Sequence, residues 1–440
     1  MPDGGAFRVP TRRHLALLAA FLLVVASVGW RRGEYFSGSL DPVVLAKGAL
    51  TVTALCLAFA LASSAPRRGL GTGTSWWLGA VLGCSLLGAL TADHLWAGGI
   101  VALRVAMIGA TVVLLLRAAP GTQVITDIAA ACGAVAVLAA VTGFPGSTGG
   151  RLSGGFPAMA ANELALLAGV VILLLIWRTV LGRAGWPAAL VGAFFLGVIW
   201  ETGSRTVLLM LVTAALVMLV QIRLPRVGLV VGGLLAGAAL VVVAAATGAV
   251  TALLQRDATG LSTVDSRLIA WRAAVAQDDS TWQELFGSGL SVKIIQVRGQ
   301  FWDTQPLDST WVSLLVQAGV TGVAVAVGWA LWALSGALRA PHHHRVLFLG
   351  VLVFVVGRSV LESGLFDATP EFILLTATSL LAEGGSRARL RTETPTPPRP
   401  TREASRPPAG GAPTGRDGRP QSALLEAGTP AAHRTPRSGR

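Results

Sequence analysis

Charge is scarce in this sequence. Only 13% of its 440 residues are Asp, Glu, Lys or Arg, and the mean hydropathy is +0.66. A soluble domain carries about 25% charged residues, so the deficit excludes an ordinary soluble globule. Cysteine is scarcer still. Cys56, Cys84 and Cys132 all lie inside apolar runs, which excludes a disulfide framework and leaves packing as their default use. Histidine clusters once, in "PHHHR" at 341–345, within a short connection that reads as a solvated basic turn. No other metal constellation occurs, and no metal or cofactor is expected. Gly-rich pieces such as "GLGTGTS" (69–75) lack the lysine and the strand–helix setting of a phosphate loop. No nucleophile stands in a motif with a partner base.

What the chain has in abundance is long apolar runs, many of them near the roughly 18–20 residues that cross a bilayer. Twelve spans are expected, at about 14–30, 43–63, 76–93, 97–116, 122–143, 162–178, 185–200, 204–222, 227–252, 310–338, 345–362 and 368–382. The first has no clear small-residue cleavage site behind it and reads as a span rather than a signal peptide. The fold class is therefore all-α, a polytopic integral membrane protein, with residues 1–383 as its helical domain. No internal repeat relates the two halves.

The net charge of +13 is located rather than diffuse. From Arg387 to Arg440 the chain holds 11 arginines against 4 carboxylates, which is over half of that excess. The stretch 384–440 is rich in Pro, Gly, Ser and Thr and reads as a disordered basic tail. It suits a cytoplasmic topology anchor or contact with anionic lipid, and no nucleic-acid partner is expected. Basic residues also mark alternate connections: Arg8, Arg12 and Arg13, then Arg67 and Arg68, Arg117, Arg178 and Arg183, Arg223 and Arg226, Arg339 and Arg345. By the positive-inside rule these connections and both termini are expected to face the cytoplasm.

One connection, 253–309, is long, falls on the outer side, and needs a functional reason for its length. Within it "VDSRLIAWRAAVAQ" (264–277) predicts a short helix capped by Asp265 or Ser266, with Leu268, Trp271 and Val275 on one side. The outer side also collects cations: Arg151, Arg205 at the head of the eighth span, Arg267, Arg272, Lys293, Arg298, and Arg358 near the end of the eleventh span. Arginine in such places is costly and usually meets a cavity or a partner; its planar fork suits phosphate oxygens. Two readings of Arg205 stay open, a ligand role and an i,i+4 pair with Glu201. Arg358 and Glu362 share that spacing and read as a structural pair. Lys47 and Arg104, in early spans, read as snorkelling or interhelical bonds.

Four pieces in order, "GRLSGGFPAMAANELALLAG", "TGSRTVLLMLV", "DSRLIAWRAAVAQDDSTWQELFGSGL" and "LDSTWVSLLVQAGVTG", resemble the O-antigen ligase and O-antigen polymerase family of bacterial envelope proteins. The resemblance spans about 145–330. It implies a GT-C-like membrane glycosyltransferase without a metal, which moves glycan from a polyprenyl-diphosphate-linked oligosaccharide donor to a glycan or lipid-glycan acceptor outside the membrane. Membrane lipids and other polysaccharide-export proteins are its implied partners. By motif, Arg205 and Arg267 correspond to diphosphate ligands, with Arg151 and Arg272 as further diphosphate-binding residues and Asn162, Glu201 and Trp271 in support. Where family ligases commonly carry a His-Asn pair, this chain has Asp308 and Ser309. A carboxylate can take a hydroxyl proton, so Asp308 is the chosen base, ahead of Asp303 and Glu201, with helix capping as its bland alternative. A twelve-span transporter or flippase of lipid-linked glycans, and a noncatalytic envelope scaffold, are the competing readings.

Overall fold

A computed structural model describes residues 12–31, 36, 38, 41–66, 69–146, 150–221, 260–277, 280–297 and 304–393. The expected ninth span, 227–252, together with Asp303 and Arg298, lies outside the described residues. The first eight helices follow the apolar runs closely: α1 (Arg12–Ser27), α2 (Pro42–Ser63), α3 (Gly73–Thr91), α4 (Leu95–Ala118), α5 (Gly121–Gly143), α6 (Ala161–Val180), α7 (Trp186–Thr202) and α8 (Arg205–Val220). After them come α9 (Gly260–Val275), the short α10 (Thr281–Phe286), α11 (Thr310–Leu338), α12 (His342–Arg358), α13 (Pro370–Ala382) and α14 (Gly384–Glu393). The only strands among the described residues, Ile294–Gln296 and Thr304–Pro306, form a small antiparallel hairpin before α11.

Among the described residues six helical segments are long and apolar enough to cross a membrane: Pro42–Ser63, Gly73–Thr91, Leu95–Ala118, Gly121–Gly146, Ala161–Val180 and Thr310–Leu338. The protein is an all-α membrane protein. Its helices differ in which partner covers them. On α2 the side chains of Leu45, Val52 and Phe59 stand exposed, whereas every residue of α13 is buried. Exposed apolar side chains on a membrane helix face lipid, so α2 lies at the rim and α13 at the centre. Trp76 and Trp186 open α3 and α7 in exposed positions, and Trp96 does the same for α4 at the other end. Tryptophans at helix ends suit the two headgroup layers.

Long-range bonds sort the chain into two ends. At the end where α1 begins, Arg12 donates to the Ser64 carbonyl (2.8 Å), Trp177 to the His343 carbonyl (2.7 Å), and His342 meets the Gln221 carbonyl (2.6 Å). Glu383 joins this end by accepting from the Gly73 and Thr74 amides (3.2 and 2.6 Å), which caps α3 from a distance of 309 residues. At the opposite end the Gly29 amide donates to Glu163 (2.7 Å) and Trp282 to the Leu87 carbonyl (3.2 Å). The end holding Arg12 carries most of the basic connections.

Several local expectations are corrected. The helix in the long connection begins at Gly260, so Asp265 and Ser266 are inside it and do not cap it. Its covered side is Ala270 and Ala274, packed with Ile295, Val297, Leu307 and Val316, while Leu268 and Val275 are exposed. Small alanines let the helix lie close on the hairpin, a fit that apolar periodicity does not reveal. Helix α14 occupies the start of the stretch read as a disordered tail; residues 394–440 lie outside the described set.

Candidate functional site

Six of the residues singled out in the sequence, Arg151, Asn162, Arg267, Asp308, Arg358 and Glu362, meet at the end opposite Arg12. Arg151, in the α5–α6 connection, donates from Nε to the Thr202 carbonyl (2.8 Å) and from Nη2 to Asn162 Oδ1 (2.6 Å). Asn162, in the first turn of α6, passes the contact on: its Nδ2 donates to Glu362 Oε1 (2.6 Å). Arg267 on α9 approaches the same Glu362 oxygen at 3.5 Å and Asp308 Oδ2 at 3.3 Å. Arg358 closes the network, at 3.9 Å from Glu362, bonded to the Asn162 carbonyl (3.3 Å) and paired with Glu371.

Glu362 is the hub that the sequence did not identify. The i,i+4 pair with Arg358 exists but is long, and Glu371 is the closer partner of that arginine. Glu362 lies past the end of α12, in a turn whose main chain is fixed by Thr310: the Thr310 amide and hydroxyl both donate to the Glu362 carbonyl (3.2 and 2.9 Å). The first residue of α11 thus ties that turn to Asp308. Its signals in sequence are an acid at a span end and the i,i+4 spacing from Arg358.

Asp308 does not cap α11. The N-cap is Ser309, without a side-chain bond, and the Asp308 carboxylate turns instead to Arg267. Burial pushes the Asp308 carboxyl above the ordinary aspartate value, against the opposing pull of the Arg267 guanidinium. A raised, partly covered carboxyl beside an arginine is a group that can accept a proton from a hydroxyl brought within hydrogen-bond reach.

The Glu201–Arg205 reading changes in kind. The two residues are not on one helix. Glu201 is in the last turn of α7, which ends on Gly203 in the left-handed region (φ 61°), and Arg205 starts α8. The Glu201 carbonyl instead accepts from the Leu152 amide (2.9 Å). Gly203 has Arg151 against it, so Arg151 and Arg205 flank one turn. A hollow beside that turn is lined by Ile199, Trp200, Gly203, Ser204, Arg205 and Leu208. Ser204 is the N-cap of α8 but makes no capping bond; it is 4% exposed, and its hydroxyl has no partner among the described residues. The first amides of any helix have no acceptor within it, and together with a nearby arginine they suit an anion.

The remaining residues stand aside. Arg272 is exposed on α9 and takes no part in the network. Trp271 is half-buried, with its indole N–H unpartnered. Lys293 is no solvated charge: it pairs with Asp367. Arg104 makes the expected interhelical bond, to the Ala26 carbonyl at the end of α1. Among the described residues no cluster of His, Cys, Asp and Glu could hold a metal ion. No family model matches this chain, and no curated protein matches it. What is established is an all-α membrane protein with a network of arginines, carboxylates and one asparagine gathered at one end.

Proposed function

We propose that this protein is a GT-C-like glycosyltransferase of twelve spans in a bacterial cell membrane, with both termini in the cytoplasm. It transfers or polymerises glycan from a polyprenyl-diphosphate-linked donor on the outer face, as its resemblance to O-antigen ligases and polymerases implies. The observation that carries the reading is the convergence of Arg151, Asn162, Arg267 and Asp308, from four separate segments, at the end opposite the basic connections. Arg205 and the uncapped start of α8 stand beside that network across Gly203.

In this reading the donor diphosphate lies at the α7–α8 turn, where Arg205, the α8 amides and the Ser204 hydroxyl face it. The acceptor oxygen attacks the anomeric carbon, the bond to the diphosphate oxygen breaks, and the diphosphate leaves with the electron pair. Asp308 takes the hydroxyl proton. Arginines held in advance stabilise the growing negative charge, worth about 10²–10³ in rate for a single well-placed donor. Arg267 divides its charge between Asp308 and Glu362, so it positions the base as well as facing the phosphate. The resemblance favours one arrangement for polymerase and ligase alike.

The test is transfer of lipid-linked oligosaccharide in vesicles by Arg205→Ala and Arg267→Ala, with monodisperse elution as the check on folding. Loss of about 10² or more in either supports the reading; wild-type rates in both overturn it. A broken helix is the one feature that favours a transporter instead. Helix α11 does break, at Gly319, but the Val316 and Gln317 carbonyls beside the break accept from the Ser288 and Gly289 amides, so those two are not left for a substrate.

A further inference from the structure

Arg267 is shared by two carboxylates and committed to neither. Its Nε is 3.3 Å from Asp308 Oδ2 and its Nη2 is 3.5 Å from Glu362 Oε1. Both are longer than the roughly 2.7–2.9 Å of a full charge-assisted bond. The two acids are covered unequally. The Asp308 side chain is 36% exposed and that of Glu362 is 13% exposed, so an incoming hydroxyl meets Asp308 first.

Glu362 grips this arrangement from both sides. Its main-chain carbonyl accepts from the amide and the hydroxyl of Thr310 (3.2 and 2.9 Å), which fixes the segment that carries Asp308. Its carboxylate accepts from Asn162 Nδ2 (2.6 Å), and Asn162 Oδ1 accepts from Arg151 (2.6 Å). An amide side chain can take a bond from an arginine and give one to a carboxylate at once, so Asn162 passes the contact of Arg151 on to Glu362. The charged groups facing Glu362 are Arg358, Arg267, Asp308 and Arg151; burial pushes its carboxyl up, and the three arginines oppose that. Arg358 does not depend on it, because Glu371 is its closer partner.

A carboxylate closed in a full ion pair with arginine is a poor base, so a base beside Arg267 needs something to draw the guanidinium off. We infer that Glu362 is a positioning residue for the proposed transfer: it holds Arg267 between two acids and fixes the Asp308 segment through Thr310, which leaves Asp308 able to take the acceptor proton. The inference rests on the reading of Asp308 as the base. Glu362 acts through Arg267 and Thr310, not on the substrate. The sign of its effect follows. Without the charge at 362, Arg267 turns wholly to Asp308 and the repulsion between the two acids is lost. Both changes favour the ionised form of Asp308 and weaken it as a base.

Glu362→Gln removes the charge but keeps an oxygen for Asn162 and the main-chain bonds to Thr310, so the turn is retained, and monodisperse elution checks it. The full-length protein in detergent is treated across a pH series with dicyclohexylcarbodiimide, which adds to protonated carboxyl groups. Modification at Asp308 is then quantified by tandem mass spectrometry, and its midpoint reads that carboxyl without any transfer assay. In Glu362→Gln the midpoint is expected about one pH unit below wild type, the scale of one neighbouring charge, and Glu362→Asp, which keeps the charge, should recover most of the difference. The acid limb of the transfer rate should move the same way, whereas damage to the fold alone would lower the rate and move neither. A labelling midpoint that stays put or rises in Glu362→Gln overturns the inference. Wild-type transfer by both Arg205→Ala and Arg267→Ala overturns the proposed reaction instead, whatever the labelling shows.

Discussion

Asp308 is the residue on which the proposed chemistry turns, and pH tests it. Burial raises its carboxyl pKa above the ordinary aspartate value while Arg267 pulls it down. A raised pKa means that the folded protein favours the protonated acid. The stability this group contributes is present at acid pH and is lost as pH rises through its folded pKa. A base must be ionised, so transfer should rise through that same window. The acid limb of the rate profile is expected above the ordinary aspartate range. In Arg267→Gln, whatever rate survives should show that limb displaced to still higher pH, because the group that lowered the pKa is gone. A limb that stays put in the variant assigns it to another group. Asp308→Asn should lack the limb altogether.

At this scale the sequence marked Arg151, Asn162, Arg267 and Asp308 by type and by motif. It marked Glu362 only as the i,i+4 partner of Arg358 and did not mark Glu371; the other partners of Glu362 lie up to 200 residues away and depend on how α6, α9 and α12 meet.

Among the elements, α11 repays attention because its apolar run looks continuous and its backbone is not. Gly319 stands at φ 67° and ψ −171°, a region open in practice to glycine alone. The break frees the carbonyls of Val316 and Gln317, and the Ser288 and Gly289 amides bind them at 2.8 and 3.0 Å. The G-x-G and G-x-x-G segments are thus two halves of one joint. Each glycine is needed because the other backbone is against it: a Cβ on Gly319 would collide with Leu285 and Phe286, and one on Gly287 with Gln317 and Ala318. Gly319→Ala should lose at least about 1–3 kcal/mol in a denaturant titration, from the backbone conformation alone. Ser288→Ala should be close to neutral, since Ser288 contributes only its amide to the joint. Equal effects from both would show that the joint is not what holds α10 to α11.

Glu383 gives a second test of element against element. Removing its carboxylate orphans the Gly73 and Thr74 amides at the start of α3, for about 1–3 kcal/mol in Glu383→Ala, whereas Glu383→Gln keeps an acceptor and should lose less. Helix ends were legible to within a few residues from the apolar runs and their flanking prolines. The joint and the remote cap were not, because glycine inside an apolar run carries no mark of its φ, and a cap 309 residues away has no local pattern.

For the whole molecule, the two ends of the bundle were legible first and the assignment of each to a side of the membrane rests on charge. Arg12, Arg117, Arg178, Arg183, Arg339 and Arg345 stand in or beside connections at one end, whereas Arg151 and Arg267 at the other are held by Asn162, Asp308 and Glu362. Basic residues in short connections resist translocation, whereas Arg151 and Arg267 are bonded within a site, so we propose that the Arg12 end faces the cytoplasm. Two glycines with open space around them make this measurable. Gly69 lies between α2 and α3 at the Arg12 end, and Gly146 follows α5 at the other; a Cβ at either meets nothing within 4 Å. In a background without Cys56, Cys84 and Cys132, Gly146→Cys should react with an impermeant maleimide on intact cells. Gly69→Cys should react only after the membrane is opened. The reverse pattern would put the arginine network in the cytoplasm, where nucleotide-linked sugars are available. A carrier-linked donor would then lose its physical reason, and the proposed reaction would fall with the orientation.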